Sequence, residues 1–561
     1  MTRLFQFILL LLLLTGCFKD PGKPNRPDTT ADDYNLTGLV EDSDHRPLPD
    51  VVVTDGSQCV KTDADGRFNM KSDMEKVQFV SISTPAGYLP AVQEGCPQFF
   101  KRRSELSLNE SVWDCGTFVL YPVSNPDNCT IIFFADPQPR PSSAGMDNIA
   151  YHSLDCCDDL YREMKDVAGS ITDRQVYAVC LGDIVHGIVD LYEDYIRGIA
   201  SVGIPVYNVI GNHDYDRNAP DDDAGAAVFE SYFGPRNYSF NIGKMHFIVL
   251  DNLIMSLTEE GGTLSAYEHG LSDDIWEWMM ADMEHVPLST TIMACSHAPM
   301  FHVINGSESS ETSKHGGSTN SSEGGAYGYG DLLDAYEQVH AWAGHSHSTF
   351  NYIYSSTHRH RNVQVHTLAR STGDLYTNEY LAHGTPRGFT VVEVRNGSIA
   401  SWRFHSTKYQ SGIFVGKQGQ PDYIWRDWDY VNGIAVMKDT GEGLDDSYQM
   451  HVYPPGTYTD TDIYANVFLW DPSWKKPLFI PEGGTPVTMT LVSDKKRHDW
   501  AETEFRTFYH DHYTKLAEDG YDAVDLGTTT TLFKAPASEH GSGTVSVKDR
   551  FGTTYTRSVS W

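Results

Sequence analysis

Along most of the chain, short apolar runs alternate with polar turns, and the texture of that alternation changes twice. From about 34 to 122 the runs are brief (LTGLVED, PLPDVVVTDG, CVKTDADGRFNM, QFVSIST), with Asp55-Gly56 and Asp65-Gly66 between them. Alternating apolar residues punctuated by Asp-Gly turns predict an antiparallel β-sandwich over residues 34–124. From 129 to 408 longer apolar runs (TIIFFA, QVYAVCL, IPVYNVI, MHFIVL, TIMACS, VHAWAG) alternate with amphipathic stretches. NIAYHSLDCCDDLYREMKDV and LSDDIWEWMMADMEH carry apolar positions at helical spacing. Strands alternating with helices predict a layered α/β domain. It closes on RGFTVVEVRNGSIASWRF, a hairpin through Asn396-Gly397. After a polar stretch at 409–420, residues 421–561 return to aromatic, strand-like runs (YANVFLWDP, PVTMTLVSD, GTVSVKDRFG, YTRSVSW) and predict a third, mainly-β domain. The fold class expected is α/β, a central sandwich flanked by two mainly-β domains.

Composition refines this picture in two places. The chain has 561 residues, 40% hydrophobic and 12% aromatic, so it is a folded multidomain protein. Its net charge of −34 argues against a nucleic-acid scaffold, which needs Lys and Arg to neutralise phosphates. At the N-terminus, Arg3 precedes an apolar run from Phe7 to Leu14, followed by Leu14-Thr15-Gly16-Cys17. The run is well short of the roughly 20 residues that span a bilayer. It resembles a bacterial lipoprotein signal (residues 1–17), with Cys17 as the lipidated residue and the Pro-rich 18–33 as a tether. That resemblance implies an exported protein of the bacterial cell envelope, attached to a membrane by an N-terminal lipid anchor. Export permits disulfides, and Cys59, Cys96, Cys115 and Cys129 are candidates for a pairing. Cys156 and Cys157 lie on a predicted helix as small core residues. The 34–124 segment resembles carboxypeptidase-regulatory-like modules and reads as a spacer or binding module.

Five polar clusters follow directly on apolar runs of the central domain. They are Asp136-Pro137-Gln138, Gly182-Asp183, Gly211-Asn212-His213-Asp214, Ser296-His297 and Gly344-His345-Ser346-His347. In α/β sheets, ligands bind outside the carboxyl ends of the strands, where clusters far apart in sequence converge. Asp, Asn, Gln and His are metal-binding and proton-transferring types, and no Ser-His-Asp nucleophile pattern accompanies them. A lone His or Gly-Asp after a strand is ordinary loop chemistry, GNHD and GHSH are sharper, and the five in order point to a site.

The order D-x-Q, GD, GNHD, H, GHSH resembles the calcineurin-like metallophosphoesterase superfamily over residues 130–405. The resemblance implies that Asp136, Gln138 and His347 hold one metal ion. It implies that Asn212, His297 and His345 hold a second, and that Asp183 bridges both. His213 takes the catalytic position, with Asp214 beside it as an orienting or electrostatic partner. Two divalent cations clamp the attacking and leaving oxygens of an in-line displacement and activate a water. Mixed nitrogen and oxygen ligands suit Mn, Fe or Zn without choosing among them. The first motif commonly ends in His, and here it ends in Gln138, a weaker donor.

The implied function is metal-dependent hydrolysis of a phosphate ester, monoester or diester, outside the cytoplasm. The alternative is a catalytically degenerate surface protein that binds glycan or lipid, and it requires missing ligands. Arg370, His383 and Arg387 are phosphate-contact candidates or surface ion-pair residues. His186 is either at the rim of the site or an ordinary turn residue. The His-, Ser- and Gly-rich loop at 301–330 is either a substrate cover or a flexible insertion.

Overall fold

The computed structural model describes residues 34–139, 153–258, 262–301, 303–304, 307–308, 313–316, 328–353, 363–373, 384–407, 414–417, 428–431, 434–437, 449–458, 460–492 and 529–561. The signal segment, the tether, Cys17, His383 and most of the 301–330 loop lie outside these residues.

Elements of the central domain are numbered from its first strand. β1 (Cys129–Phe134), β2 (Gln175–Cys180) and β3 (Val206–Asn208) pair in parallel. β12 (Gly388–Arg395) and β13 (Ser398–Ser406) join antiparallel on the other side of β1, giving the order β3-β2-β1-β12-β13. A second sheet runs β4 (Tyr238–Ile242), β5 (Met245–Leu250), β8 (Thr291–Ser296), β9 (Gln338–Ala343), β11 (Val363–Thr367), β10 (Phe350–Ile353). Its β5, β8, β9 and β11 are parallel. A separate hairpin, β6 (Leu253–Leu257) and β7 (Leu264–His269), stands between β5 and β8 in the chain.

Side-chain parity builds the layers. Successive strand residues point to opposite faces, so Ile131 and Phe133 face one way while Ile132 and Phe134 face the other. The first pair joins a core with Phe247, Met293 and Trp342 of the second sheet, and the Phe133 and Trp342 rings stack at 4.0 Å. The second pair meets helices α1 (Ser153–Ser170) and α2 (Tyr192–Val202). The far face of the second sheet, with Ile248, Ile292 and Val339, is covered by α4 (Asp273–Met283) through Trp278, Met279 and Met283. The domain is therefore helix, sheet, sheet, helix. Strands buried on both faces read as unbroken apolar runs, as they do here.

The helices follow from their sequences. α1 buries Cys157, Leu160, Tyr161, Met164 and Ala168, one stripe at three- and four-residue spacing. Cys156 and Cys157 are core residues, as expected. α4 is capped by Ser272, whose Oγ accepts from the Ile275 N–H, and Asp273 and Asp274 complement the positive end of its dipole. α1 meets α2 where Gly198 lies under the Tyr161 ring.

The N-terminal module is a sandwich of two sheets, with one departure from expectation. Its first strand, Leu36–Asp42, pairs in parallel with its last, Val112–Pro122, so the sandwich is not purely antiparallel. Chain-end strands that close a sandwich side by side are joined by no hairpin, and local turn chemistry carries no trace of their direction. The eight cysteines of the described residues are buried and form no disulfide with one another, which corrects the expected pairing. Cys59 and Cys96 sit in cores other than the one that holds Cys115 and Cys129. The module docks on α3 (Asp222–Phe233). Arg102 donates to the Glu230 and Ser231 carbonyls at 2.8 Å each, and Phe100 packs on Gly234. A guanidinium there adds a donor to the Glu230 carbonyl, which also accepts from the Gly234 N–H, bonds the Ser231 carbonyl, and complements the negative pole of the helix.

The C-terminal part is also β. Two four-stranded sheets span Met450–Tyr453 to Thr554–Ser560, and a three-stranded sheet includes Phe414–Lys417. The stretch expected as a polar linker thus contributes a strand. Gln449 exchanges two hydrogen bonds with the Phe404 backbone, and Asn351 donates to the Leu469 carbonyl at 3.0 Å. The hairpin through Asn396-Gly397 forms as read, with φ of 53° and 77°.

Replacing Gly198 with Val places a branched side chain where even a Cβ would lie 2.1 Å from the buried Tyr161 ring. Gly198→Val should lower stability by about 1–3 kcal/mol through overpacking, read as a reduced urea midpoint.

Candidate metal centre

All five polar clusters emerge at the carboxyl ends of parallel strands. Asp136 follows β1, Asp183 follows β2 and Asn212 follows β3, while His297 follows β8 and His345 follows β9. Three of these strands belong to one sheet and two to the other. The motif glycines explain themselves here, because a Cβ on each would strike a site residue. The closest approaches are 2.8 Å from Gly182 to His297, 2.3 Å from Gly211 to Asp183 Oδ1, and 2.5 Å from Gly344 to Asp136 Oδ2.

The backbone is strained at the same place. Asp136, Gln138, Asp183, His345 and His347 have φ of 51°, 40°, 51°, 67° and 51°. Left-handed φ in non-glycine residues costs of order 1–3 kcal/mol each and persists only where the surroundings enforce it. Here it turns the donor atoms inward.

Those donor atoms crowd around shared points. His297 Nδ1 donates to the Leu181 carbonyl at 2.8 Å, which leaves Nε2 facing the interior. Within 3.2 Å of that Nε2 lie Asp183 Oδ1, Asn212 Oδ1 and His345 Nδ1, and His345 Nδ1 is 3.0 Å from Asn212 Oδ1. Four lone-pair atoms at such spacing repel unless a cation or a proton lies among them. Asp136, Asp183 and His297 form a buried metal-ligand cluster with donor atoms within 4.8 Å of one another. Asp136 Oδ1 is buried without a hydrogen bond and lies 3.3 Å from His347 Nε2. The Gln138 amide abuts Asp183 Oδ2. Which end of an amide faces a partner is decided by the network, and with the oxygen turned inward Gln138 becomes a ligand. The donor set fits two divalent cations.

Charge reinforces the fit. Burial opposes the charge on Asp183, yet His297 and His213 hold its carboxyl well below the usual carboxylate range. Burial also works against a charged His297, but the Asp183 charge outweighs it and raises the ring to about 9. A proton on His297 and a bound cation are thus alternatives for one lone pair. His345 is lowered to about 3, chiefly by burial and then by His297.

His213 stands beside this cluster. Its backbone N–H donates to Asp183 Oδ1 at 2.9 Å, and its Nε2 is 4.0 Å from Asp183 Oδ2. Arg217 Nη2 donates to His213 Nδ1 at 2.8 Å. A guanidinium has only donors, so the ring accepts at Nδ1 and carries its proton on Nε2, toward the cluster. Burial lowers His213 to about 4, and the Arg217 and Arg370 charges add to that. His186 stacks on His213 with centroids 4.2 Å apart, which places it at the rim.

Asp214 is fully buried, and its carboxylate accepts from the Ile184, Val185 and Gly211 N–H groups at 3.1, 3.1 and 2.8 Å. It clamps the Asp183 loop to the Asn212 loop. Its pKa is raised to about 7 by burial and by the Asp183 charge, against those three donors. Arg387 is buried in an ion pair with Asp159 of α1 at 3.0 Å, so it serves helix packing instead of substrate. Arg370 is buried within the electrostatic reach of His213. Sequence reasoning missed Arg217, four residues past His213, and Tyr267 on β7, whose hydroxyl is 3.3 Å from His345 Nε2. Both lie where the sequence carries no periodic signal, Arg217 in the turns after the GNHD run and Tyr267 in a short strand.

Gly211→Ala changes neither a ligand nor a charge but pushes Asp183 off its place. Metal analysis after dialysis should show at least about tenfold weaker retention, with an unchanged far-UV spectrum.

The profile for calcineurin-like phosphoesterases matches residues 129–349. Profiles for the N terminal and the C terminal of calcineurin-like phosphoesterases match residues 34–113 and 366–555. No curated protein matches the chain. Among solved structures it is similar to a dimetal phosphatase from Danio rerio, at 13% identity over 47% of this chain and 92% of that one (TM-score 0.29). It is similar to a purple acid phosphatase from yellow lupin (Lupinus luteus) seeds, at 12% identity over 64% and 67% (TM-score 0.31). A 5'-nucleotidase precursor from Thermus thermophilus gives 12% identity over 49% and 54% (TM-score 0.25). With three adjoining profiles of one family matched in order, the chain belongs to the calcineurin-like phosphoesterase family and is a metal-dependent phosphoesterase.

Proposed function

We propose that the chain hydrolyses a phosphomonoester outside the cytoplasm, with Asp136, Gln138, Asp183, Asn212, His297, His345 and His347 as metal ligands. The convergence of His297 Nε2, His345 Nδ1, Asn212 Oδ1 and Asp183 Oδ1 carries this reading. Divalent cations supply Lewis acidity toward phosphoryl oxygens and an acidified water. The chain's own residues do the rest. His213, with its proton fixed on Nε2 by Arg217, donates to a phosphoryl or leaving oxygen. Arg217 and Arg370 beside it favour a terminal phosphoryl, which carries two charges, over a diester, which carries one. Asp214 keeps the Asp183 and Asn212 loops in register.

With p-nitrophenyl phosphate, His213→Ala should lower kcat by about 10²–10⁴ with metal content retained, and Arg217→Met should lower it less. Turnover of bis-p-nitrophenyl phosphate at an equal or greater rate would reverse the monoester assignment.

The location rests on the N-terminal stretch. The apolar run ending in Leu14-Thr15-Gly16-Cys17, followed by a Pro-rich tether, supports export and lipid anchoring through Cys17. Cys17→Ser should release the protein from the membrane fraction and abolish palmitate labelling; labelling that persists would place the anchor elsewhere.

A further inference from the structure

The β6–β7 hairpin reaches the His345 ring through β7 and the Arg217 backbone through Leu264, without supplying a ligand. Its β7 strand carries Tyr267, 36% exposed, with the ring tilted edge-on to His345 at 5.8 Å. The phenolic oxygen lies 3.3 Å from His345 Nε2. His345 turns its other nitrogen, Nδ1, to Asn212 Oδ1 and His297 Nε2. An imidazole that presents one nitrogen to a cation as a lone pair carries its proton on the other. That N–H needs an acceptor, whose identity fixes the tautomer and the ring angle. For His297 the acceptor is the Leu181 carbonyl. For His345 the group at that position is the Tyr267 hydroxyl.

The hairpin is held firmly enough to matter. Met255 N–H donates to Asp222 Oδ1 at 2.7 Å, and the N–H of Lys314 donates to the His269 carbonyl at 3.0 Å. Leu264 lies over Gly225, where a Cβ would meet it at 2.3 Å. Leu264 N–H donates to the carbonyl of Arg217 at 2.9 Å, and Arg217 is the residue that fixes the proton of His213. One rigid hairpin therefore grips the arm that orients His213 and the ring of His345.

We infer that Tyr267 is a positioning residue for metal binding: its hydroxyl accepts the His345 Nε2 proton and so presents Nδ1 to the cation. This rests on the metal-ligand reading of His345 given above. A hydroxyl also accepts more flexibly than a backbone carbonyl, so the bond adjusts as the ring settles onto an ion.

The test is a Zn²⁺ titration of the full chain against a chromophoric chelator, with Tyr267→Phe, Tyr267→Ala and Tyr232→Phe. Tyr232 is another 36%-exposed tyrosine, on α3. Tyr267→Phe should bind Zn²⁺ about 10- to 100-fold more weakly, as Tyr267→Ala does, with the thermal midpoint unchanged and Tyr232→Phe like wild type. Its kcat should fall while KM stays. Wild-type affinity in Tyr267→Phe overturns the inference, and so does a loss seen in Tyr267→Ala alone, which would assign the effect to the ring. A wild-type chain that takes up no Zn²⁺ overturns the metal reading and this inference together, whereas a wild type that binds Zn²⁺ no more tightly than Tyr267→Phe overturns the inference alone.

Discussion

A carboxylate buried beside two imidazoles and two amides governs the rest of the molecule. Asp183 is taken out of water at the end of β2, and an isolated buried charge of that kind costs many kcal/mol unless it is paired and hydrogen-bonded. Its partners come from separate places in the chain: Gln138, the His213 N–H and His297. To deliver them, two sheets must align their parallel strands so that the carboxyl ends open at one end of the sandwich. The loops must then fold back over those ends, which accounts for the left-handed residues and the side-chain-free glycines. The layered fold is the frame that this charge requires.

The same constraint separates residues that meet a cation from residues that hold them in place. Asp214 sits in the GNHD run next to His213, yet it spends its carboxylate on three backbone N–H groups. Those groups belong to the loops of Asp183 and Gly211. A fully buried carboxylate with three backbone donors is a structural tie, however close it stands to the chemistry. Arg387 is similar: a guanidinium in a phosphate-handling domain, committed to Asp159 within the packing of α1.

Much of this was readable in the sequence, for definite reasons. Strands buried on both faces write themselves as apolar runs, and polar residues placed directly after such runs stand out. The glycines of the GD, GNHD and GHSH runs mark where backbone passes too close for a Cβ. What stayed hidden depends on tertiary direction. Leu36–Asp42 and Val112–Pro122 pair in parallel across most of a module, which no turn announces. Asp214 and His213 differ in role because their side chains point oppositely from adjacent positions. Tyr267 is an unremarkable residue in a short strand until the hairpin brings it to His345.

Arg102 and Phe100 give the N-terminal module a meaning that a spacer would not have. The last turn of α3 finds its cation and its apolar cover on a strand that lies more than a hundred residues before it in the chain. The apolar core that joins Phe68 and Phe118 to Phe247 and Phe479 crosses from the first module into the last without a break. Beads on a string can be shuffled by recombination, each keeping its own stability; these three cannot. Inheritance should keep them together, so a lineage that changes its substrate would be expected to alter loops at the strand ends and leave the joints between modules alone.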